Sequence, residues 1–342
     1  MENFDLHVMA RTGSLSSVPH EYLTLTRLTE GNAAGNTPMH SAAKYGALKD
    51  LPPEHLTAAT LSLKNASGYT PLHHAAIGGH LDQVPVELLT GLQLGMRSNS
   101  GYTVFHMAAA NGHLDQIPKE LITPKVVLRT NDLGNNLLHE AAEAGALDRV
   151  PHEFFSAENL ICKNICGETV FHVAALNGNI SQIPKEFINS EVLLEKTISG
   201  DTVFHAAAIS GNLGQIPAEL LTHDNLVVAS KSGFTAIHAA AETGQLDKVP
   251  SRQLTRDLLL TRNDNGDTPL HAAAFEGHLD QIPEMMLTEE LLMVRNYDGV
   301  TVGRLAMERG FIRQLPAELR PKAPGIFGTF LQKTGLSRPP FG

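Results

Sequence analysis

Apolar, small and polar positions recur along the chain at a fixed interval of 33 residues. Written from a recurring glycine, the unit reads roughly G-x-T-x-x-H-x-A-A-x-x-G-x-L-D-Q-I-P-x-E-L-L-T-x-x-x-L-x-L-x-N-x-x. Nine glycines, from Gly35 to Gly299, keep this spacing, and a second glycine column from Gly13 to Gly310 is filled ten times out of ten. A proline column from Pro19 to Pro316 is equally complete. A constant period without insertions describes one structural unit copied along the chain. Such units bury their apolar faces on one another rather than each closing a core.

Within the unit, threonine two residues after the turn glycine, followed in several copies by proline, predicts an N-cap and first helical position, as in Thr37-Pro38, Thr70-Pro71 and Thr268-Pro269. Paired alanines such as Ala75-Ala76 and Ala207-Ala208 give this first helix a small face that lets neighbours approach closely. The glycine after them (Gly79, Gly112, Gly211) predicts a left-handed C′ residue. The second half is expected to hold a short helix with the column proline at its first position and a glutamate at N3, as in Glu21, Glu54, Glu87, Glu120, Glu153, Glu186, Glu219 and Glu318. The apolar residue before the proline leaves that helix without a usual cap. Thr57, Thr90, Thr123 and Ser156 mark one further helical turn. Asn32, Asn65, Ser98 and their counterparts mark a side-chain-stabilised turn before each glycine.

The strings GNTPMHSAAKYG (35–46), GYTPLHHAAIGGH (68–80) and GDTPLHAAAFEGH (266–278) resemble the G-x-T-P-L-H-x-A-A-x-x-G-H core of ankyrin repeats, whose period is also 33. The resemblance implies helix pairs joined by turns or hairpins, arranged as an array that binds other proteins. The chain departs from it in the second half, where I-P-x-E-L-L-T replaces the family's usual sequence, so the second helix is expected to be shorter or shifted. A leucine-rich-repeat reading fits I-P-x-E-L-L and L-x-L-x-N less well, because its period is about 20–29 residues. The predicted fold is therefore an all-α, ankyrin-like solenoid of about ten 33-residue helix-turn-helix repeats over residues 2–320, with degenerate capping repeats at both ends. Residues 321–342 fall out of register and are expected to be a flexible, Pro/Gly-rich, basic tail, with Ile326, Phe327, Phe330 and Leu331 as a candidate docking segment.

The net charge of −10 sharpens this picture. Lys322, Lys333 and Arg338 stand in the last 22 residues with no acid, which puts the rest of the chain near −13. An acidic surface argues against nucleic acid and anionic membranes and for a basic partner. Apolar runs are too short to span a bilayer, the first residues show no apolar signal segment, and two cysteines form no disulfide framework. A cytoplasmic protein, native or delivered into a host, is expected, and a monomer.

Candidate chemistry is sparse. His7, His40, His73, His106, His139, His172, His205, His238 and His271 form one column. Stacked helices lie about 8–10 Å apart, too far for successive members to share a metal whose ligands sit within about 2.1 Å. A repeated structural hydrogen bond to the adjoining turn explains them better. The glutamate column fails the paired-carboxylate geometry for the same reason, and Cys162-x-x-x-Cys166 lacks a second pair. No phosphate-loop, zinc-protease or nucleophile-elbow string occurs. No catalytic residue, cofactor or metal is assigned. Function is expected to reside in two variable columns: Tyr69, Tyr102 and Phe234 beside the turn, and Ile77, Leu176, Ile209 and Phe275 at the end of the first helix. Aromatic and aliphatic residues at exposed variable positions suit a protein-binding face. The expected role is a non-catalytic interaction scaffold, with a regulatory or inhibitory subunit of an enzyme, or an effector delivered into a host cell, as the alternatives.

Overall fold

A computed structural model describes residues 4–320. It resolves into two compact units, one ending at Ile188 and one beginning at Asn189. Both are all-α stacks, and no strand occurs among the described residues, only isolated bridges between Ala229 and Thr235 and between Arg295 and Thr301. The leucine-rich alternative, which needs a strand per repeat, is thereby set aside.

The first half of each repeat folds as its sequence predicts. Thr70 caps the helix Pro71–Gly78, and Gly79 ends it at φ 73°. Both glycine columns lie entirely at positive φ, where other residues rarely go, and no non-glycine residue is found there among the described residues. Most of the turn glycines are also sterically required. A Cβ on Gly35 would stand 2.8 Å from the Ala66 amide nitrogen. That approach exists because turn tips within a unit bond their neighbours: Ala66 N–H donates to Ala34 O (3.1 Å), and Asn99 N–H donates to Ser67 O (3.0 Å). First helices pack in succession, Pro38–Tyr45 on Pro71–Gly78, Pro71–Gly78 on Val104–Ala110, and beyond Asn189 Val203–Ile209 on Ala236–Glu242. Their alanine pairs, including Ala75-Ala76 and Ala240-Ala241, are fully buried at these contacts.

The second half departs from expectation. No helix starts at the proline. Pro85 is extended (φ −50°, ψ 129°) and only the 3₁₀ turn Val86–Leu88 follows it. The single α-turn of this half is Gly91–Leu94, capped by Thr90. Residues before proline avoid the α region, which ends the preceding 3₁₀ turn Leu81–Gln83 at Val84. Core positions explain why the helix does not form. Leu81, Val84, Leu89 and Leu94 are buried, and spacings of three, five and five cannot share one face of a continuous α-helix. The glutamate column therefore lies on exposed 3₁₀ turns, not at N3 of a helix.

The end of the first helix and the 3₁₀ turn after it are instead tied to the following repeat. The Gln116 amide accepts from Leu81 N–H (2.9 Å) and donates to Gly79 O (2.8 Å), clamping the end of one first helix to the next repeat. Gln182 does the same for Leu147 and Gly145, and Gln281 for Leu246 and Gly244. Where the repeat has Lys248 instead, Gln245 takes over, accepting from Leu213 N–H and donating to Ala208 O. The ends differ again: Asp5, one register position later than the usual threonine, caps Leu6–Arg11, and Arg304 replaces the column histidine and pairs with Glu308 (2.6 Å).

Candidate functional site

The site is built on the histidine column. Thr70 N–H donates to His73 Nδ1 (3.1 Å), with Thr70 Oγ1 2.8 Å from the same nitrogen, so the ring completes a capping box usually closed by glutamate. With Nδ1 accepting, the proton resides on Nε2, which donates to Tyr102 O in the next repeat (3.1 Å). His40 reaches Tyr69 O (3.0 Å), His205 reaches Phe234 O (3.1 Å) and His271 reaches Val300 O (3.1 Å). His106 differs and bonds Arg129 O. Burial pushes His73 and His106 down to about 4, which keeps them neutral at physiological pH. Where they bond in this way, the histidines fix the backbone of the variable residue that follows the turn glycine.

In the unit ending at Ile188, that residue is tyrosine twice. Tyr69 and Tyr102, both half-buried, stand edge-on to His73 (5.3 Å) and His106 (6.2 Å). Together with Ile77 they line a groove of 540 Å³ whose floor is formed by Met107 and Glu140, with Glu143 at its edge. Three of the sequence-predicted residues therefore meet in one concavity. Burial, then Glu140 and Glu143, push the Tyr102 hydroxyl up to about 12.

Glu140 and His74 were missed by sequence reasoning. Both occupy the position after the column histidine, where other repeats have Met107, Val173, Ala206, Ala239 and Ala272. A carboxylate there among mostly apolar or small residues was the available signal. Glu140 is 4% exposed, and its Oε1 accepts from Asn131 Nδ2 (2.9 Å) and Asn135 Nδ2 (3.1 Å). Burial raises it to about 7 despite those bonds. The His74 ring abuts His40, and its buried Nδ1 has no partner among the described residues.

In the unit beginning at Asn189, Phe234 and Phe275 line a second groove of 340 Å³ with Glu242, Asp267, Glu276 and Leu305. Arg309 lies over the Phe275 ring at 3.9 Å and donates from Nε to Phe275 O (3.1 Å). Leu176 and Ile209 are exposed but line neither groove.

The remaining candidates form no centre. Among the described residues no three His, Cys, Asp or Glu side chains converge, and no helix is long and apolar enough to cross a membrane. Cys162 and Cys166 are free thiols, the former pushed up by burial. The proposed segment Ile326–Leu331 lies outside the described residues.

A stack of helix-turn units held by a Thr–His capping box defines a helical-repeat protein. A family model described as "Ankyrin repeats (3 copies)" matches residues 51–131 and 171–251, and one described as "Ankyrin repeat" matches 265–292. Together these cover more than half of the chain, which belongs to the ankyrin repeat family. No curated protein matched the sequence. Ankyrin repeats are generally protein–protein interaction modules, and proteins built from them are typically non-catalytic.

Proposed function

We propose that this chain is a non-catalytic interaction module that binds a basic protein partner through the face carrying the turn tips and first helices. The repeat array is assigned residues 2–320, and a cytoplasmic monomer is the working state. The observation that carries the reading is the groove in which Tyr69, Ile77 and Tyr102 converge. Half-buried aromatic side chains on a rigid wall bind with little further loss of conformational freedom, and burying them yields about 25 cal/mol per Å² before ordering costs. The acidity of the chain supports a basic partner, with attraction that weakens as salt rises.

Affinity capture with the purified chain, followed by direct binding measurement, tests the reading. Tyr69→Ala combined with Tyr102→Ala should weaken the captured partner by about 1–4 kcal/mol while thermal unfolding stays cooperative. Unchanged affinity in that variant, with affinity lost on removing residues 321–342, would move the site to the tail. Turnover by the isolated chain, abolished by one substitution, would overturn the non-catalytic assignment.

A further inference from the structure

We propose that the Tyr69–Tyr102 groove receives an arginine side chain from the protein partner, with Glu140 as its charged acceptor; this rests on the interaction reading above. Glu140 is 96% withdrawn from solvent, yet its environment is only half built. Two amides support Oε1, while Oε2, which makes no hydrogen bond among the described residues, keeps some contact with solvent and belongs to a side chain lining the groove. No lysine, arginine or histidine lines that groove. A carboxylate taken out of water without a counter-ion is costly, and a cation arriving in the groove would remove that cost.

The other walls select among cations. Glu143, one turn along the same helix, offers a second carboxylate on the same face. Asn111 commits its Nδ2 to Met107 O, which leaves its oxygen as a further acceptor. Tyr69 and Tyr102 supply aromatic rings to its walls. Several acceptors around a slot walled by aromatic rings suit a planar guanidinium, which bonds in a fork and stacks on rings, better than a compact, strongly hydrated ammonium. The chain contains a parallel on its own second unit, where Arg309 lies over Phe275. Phe275 and Arg309 correspond in repeat register to Ile77 and Asn111, so in the first unit the guanidinium must come from outside.

The probe is N-acetyl-arginine N-methylamide, titrated into full-length protein while the methyl NMR signals of Ile77 and Met107 are followed, with Ile282 of the other unit as reference. Saturable shifts confined to Ile77 and Met107 are expected, with weaker shifts from the lysine analogue and none from the uncharged citrulline analogue. Glu140→Gln, which keeps the shape and the acceptor for Asn131 and Asn135, should weaken the arginine probe about tenfold, the worth of one charge-assisted hydrogen bond. Glu143→Gln changes an exposed residue and should weaken it less, which keeps the test open if the first variant fails to fold. Equal binding of arginine and citrulline, equal binding of arginine and lysine, or full affinity in both variants overturns the proposal. A captured partner lost on changing both tyrosines, yet indifferent to Glu140→Gln and to competition by the probe, overturns the arginine site and leaves the interaction reading standing. A partner indifferent to the tyrosines overturns that reading itself.

Discussion

The two grooves are cut from one repeating backbone and differ in what their variable columns place there. In the unit ending at Ile188, two tyrosines rim the groove, and a buried carboxylate without a cation forms part of its floor. In the unit beginning at Asn189, Phe234 takes the register position of the tyrosines and Phe275 that of Ile77, Ala272 and Leu305 stand in the register of Glu140, and the chain's own Arg309 lies on Phe275. The first groove is larger, and its buried carboxylate has no cation beside it; the second is smaller, and one of its rings already carries the chain's own guanidinium. Repeated positions build the frame, and a handful of unrepeated ones decide which groove has chemistry left over for a partner.

The frame itself should respond to acid unequally in the two units, and this is the largest effect expected. His73, His74 and His106 are held near 4 by burial, against 6.5 for an unburied imidazole, and His40 and His139 are lowered as well. The second unit has three such groups, His205, His238 and His271. A lowered value means the folded form binds fewer protons than the unfolded form. The stability each contributes is full above 6.5 and drains away as pH falls toward 4, roughly 3 kcal/mol each for His73 and His106. Hydrogen exchange followed by mass spectrometry at stepped pH should show residues 4–188 losing protection at a higher pH than residues 189–320. Simultaneous loss would mean that the two units unfold together and that the difference in histidines is masked.

Glu140 titrates with the opposite sign. Its folded value near 7 exceeds the ordinary 4.5, so its contribution is full below 4.5 and is lost as pH rises through 7. At pH about 8 the ionised carboxylate should cost about 3 kcal/mol, and Glu140→Gln should recover much of it while matching the parent at pH about 4. Denaturant midpoints at the two pH values measure this. A variant less stable than the parent at the higher pH would show that the bonds from Asn131 and Asn135 to a charged acceptor outweigh its desolvation.

How much of this was legible depended on whether a residue acted within its own repeat. The capping threonines, the left-handed glycines and the alanine face were readable because each follows from local backbone geometry, and the column histidines from one bond carried to the adjoining turn. The second half was misread because a proline followed by glutamate looks like a helix start, while the decisive constraint, burial of Val84, Leu89 and Leu94 at five-residue intervals, belongs to packing. The clamp on the end of the first helix could not be found either, since Gln116 lies a full repeat away from the backbone it serves. At the candidate site, aromatic residues in variable columns led to Tyr69, Tyr102, Phe234 and Phe275, but the same logic also selected Leu176 and Ile209, which line neither groove. Glu140 escaped because a lone glutamate on a helix ordinarily faces water, and only the structure buries it.

The smallest effect is the most direct probe of the comparison. Arg309→Ala removes a guanidinium that lies 3.9 Å from the Phe275 ring centre and donates to Phe275 O. At this accessible site the cation–π contact is worth about 0.5–1 kcal/mol, so the denaturant midpoint should fall only slightly. The more informative consequence is in the groove. With Arg309 gone, the Phe275 ring, which lines the groove beside Glu242, Asp267 and Glu276, loses the cation on its face and can take one from outside. N-acetyl-arginine N-methylamide should then shift the methyl signals of Val300 and Leu305, which it leaves unmoved in the parent protein. The gain should stay weaker than binding at Tyr69 and Tyr102, because no buried carboxylate replaces Ala272 or Leu305. If Arg309→Ala leaves both stability and probe binding unchanged, the contact with Phe275 is incidental, and the internal arginine says nothing about what the first groove is shaped to hold.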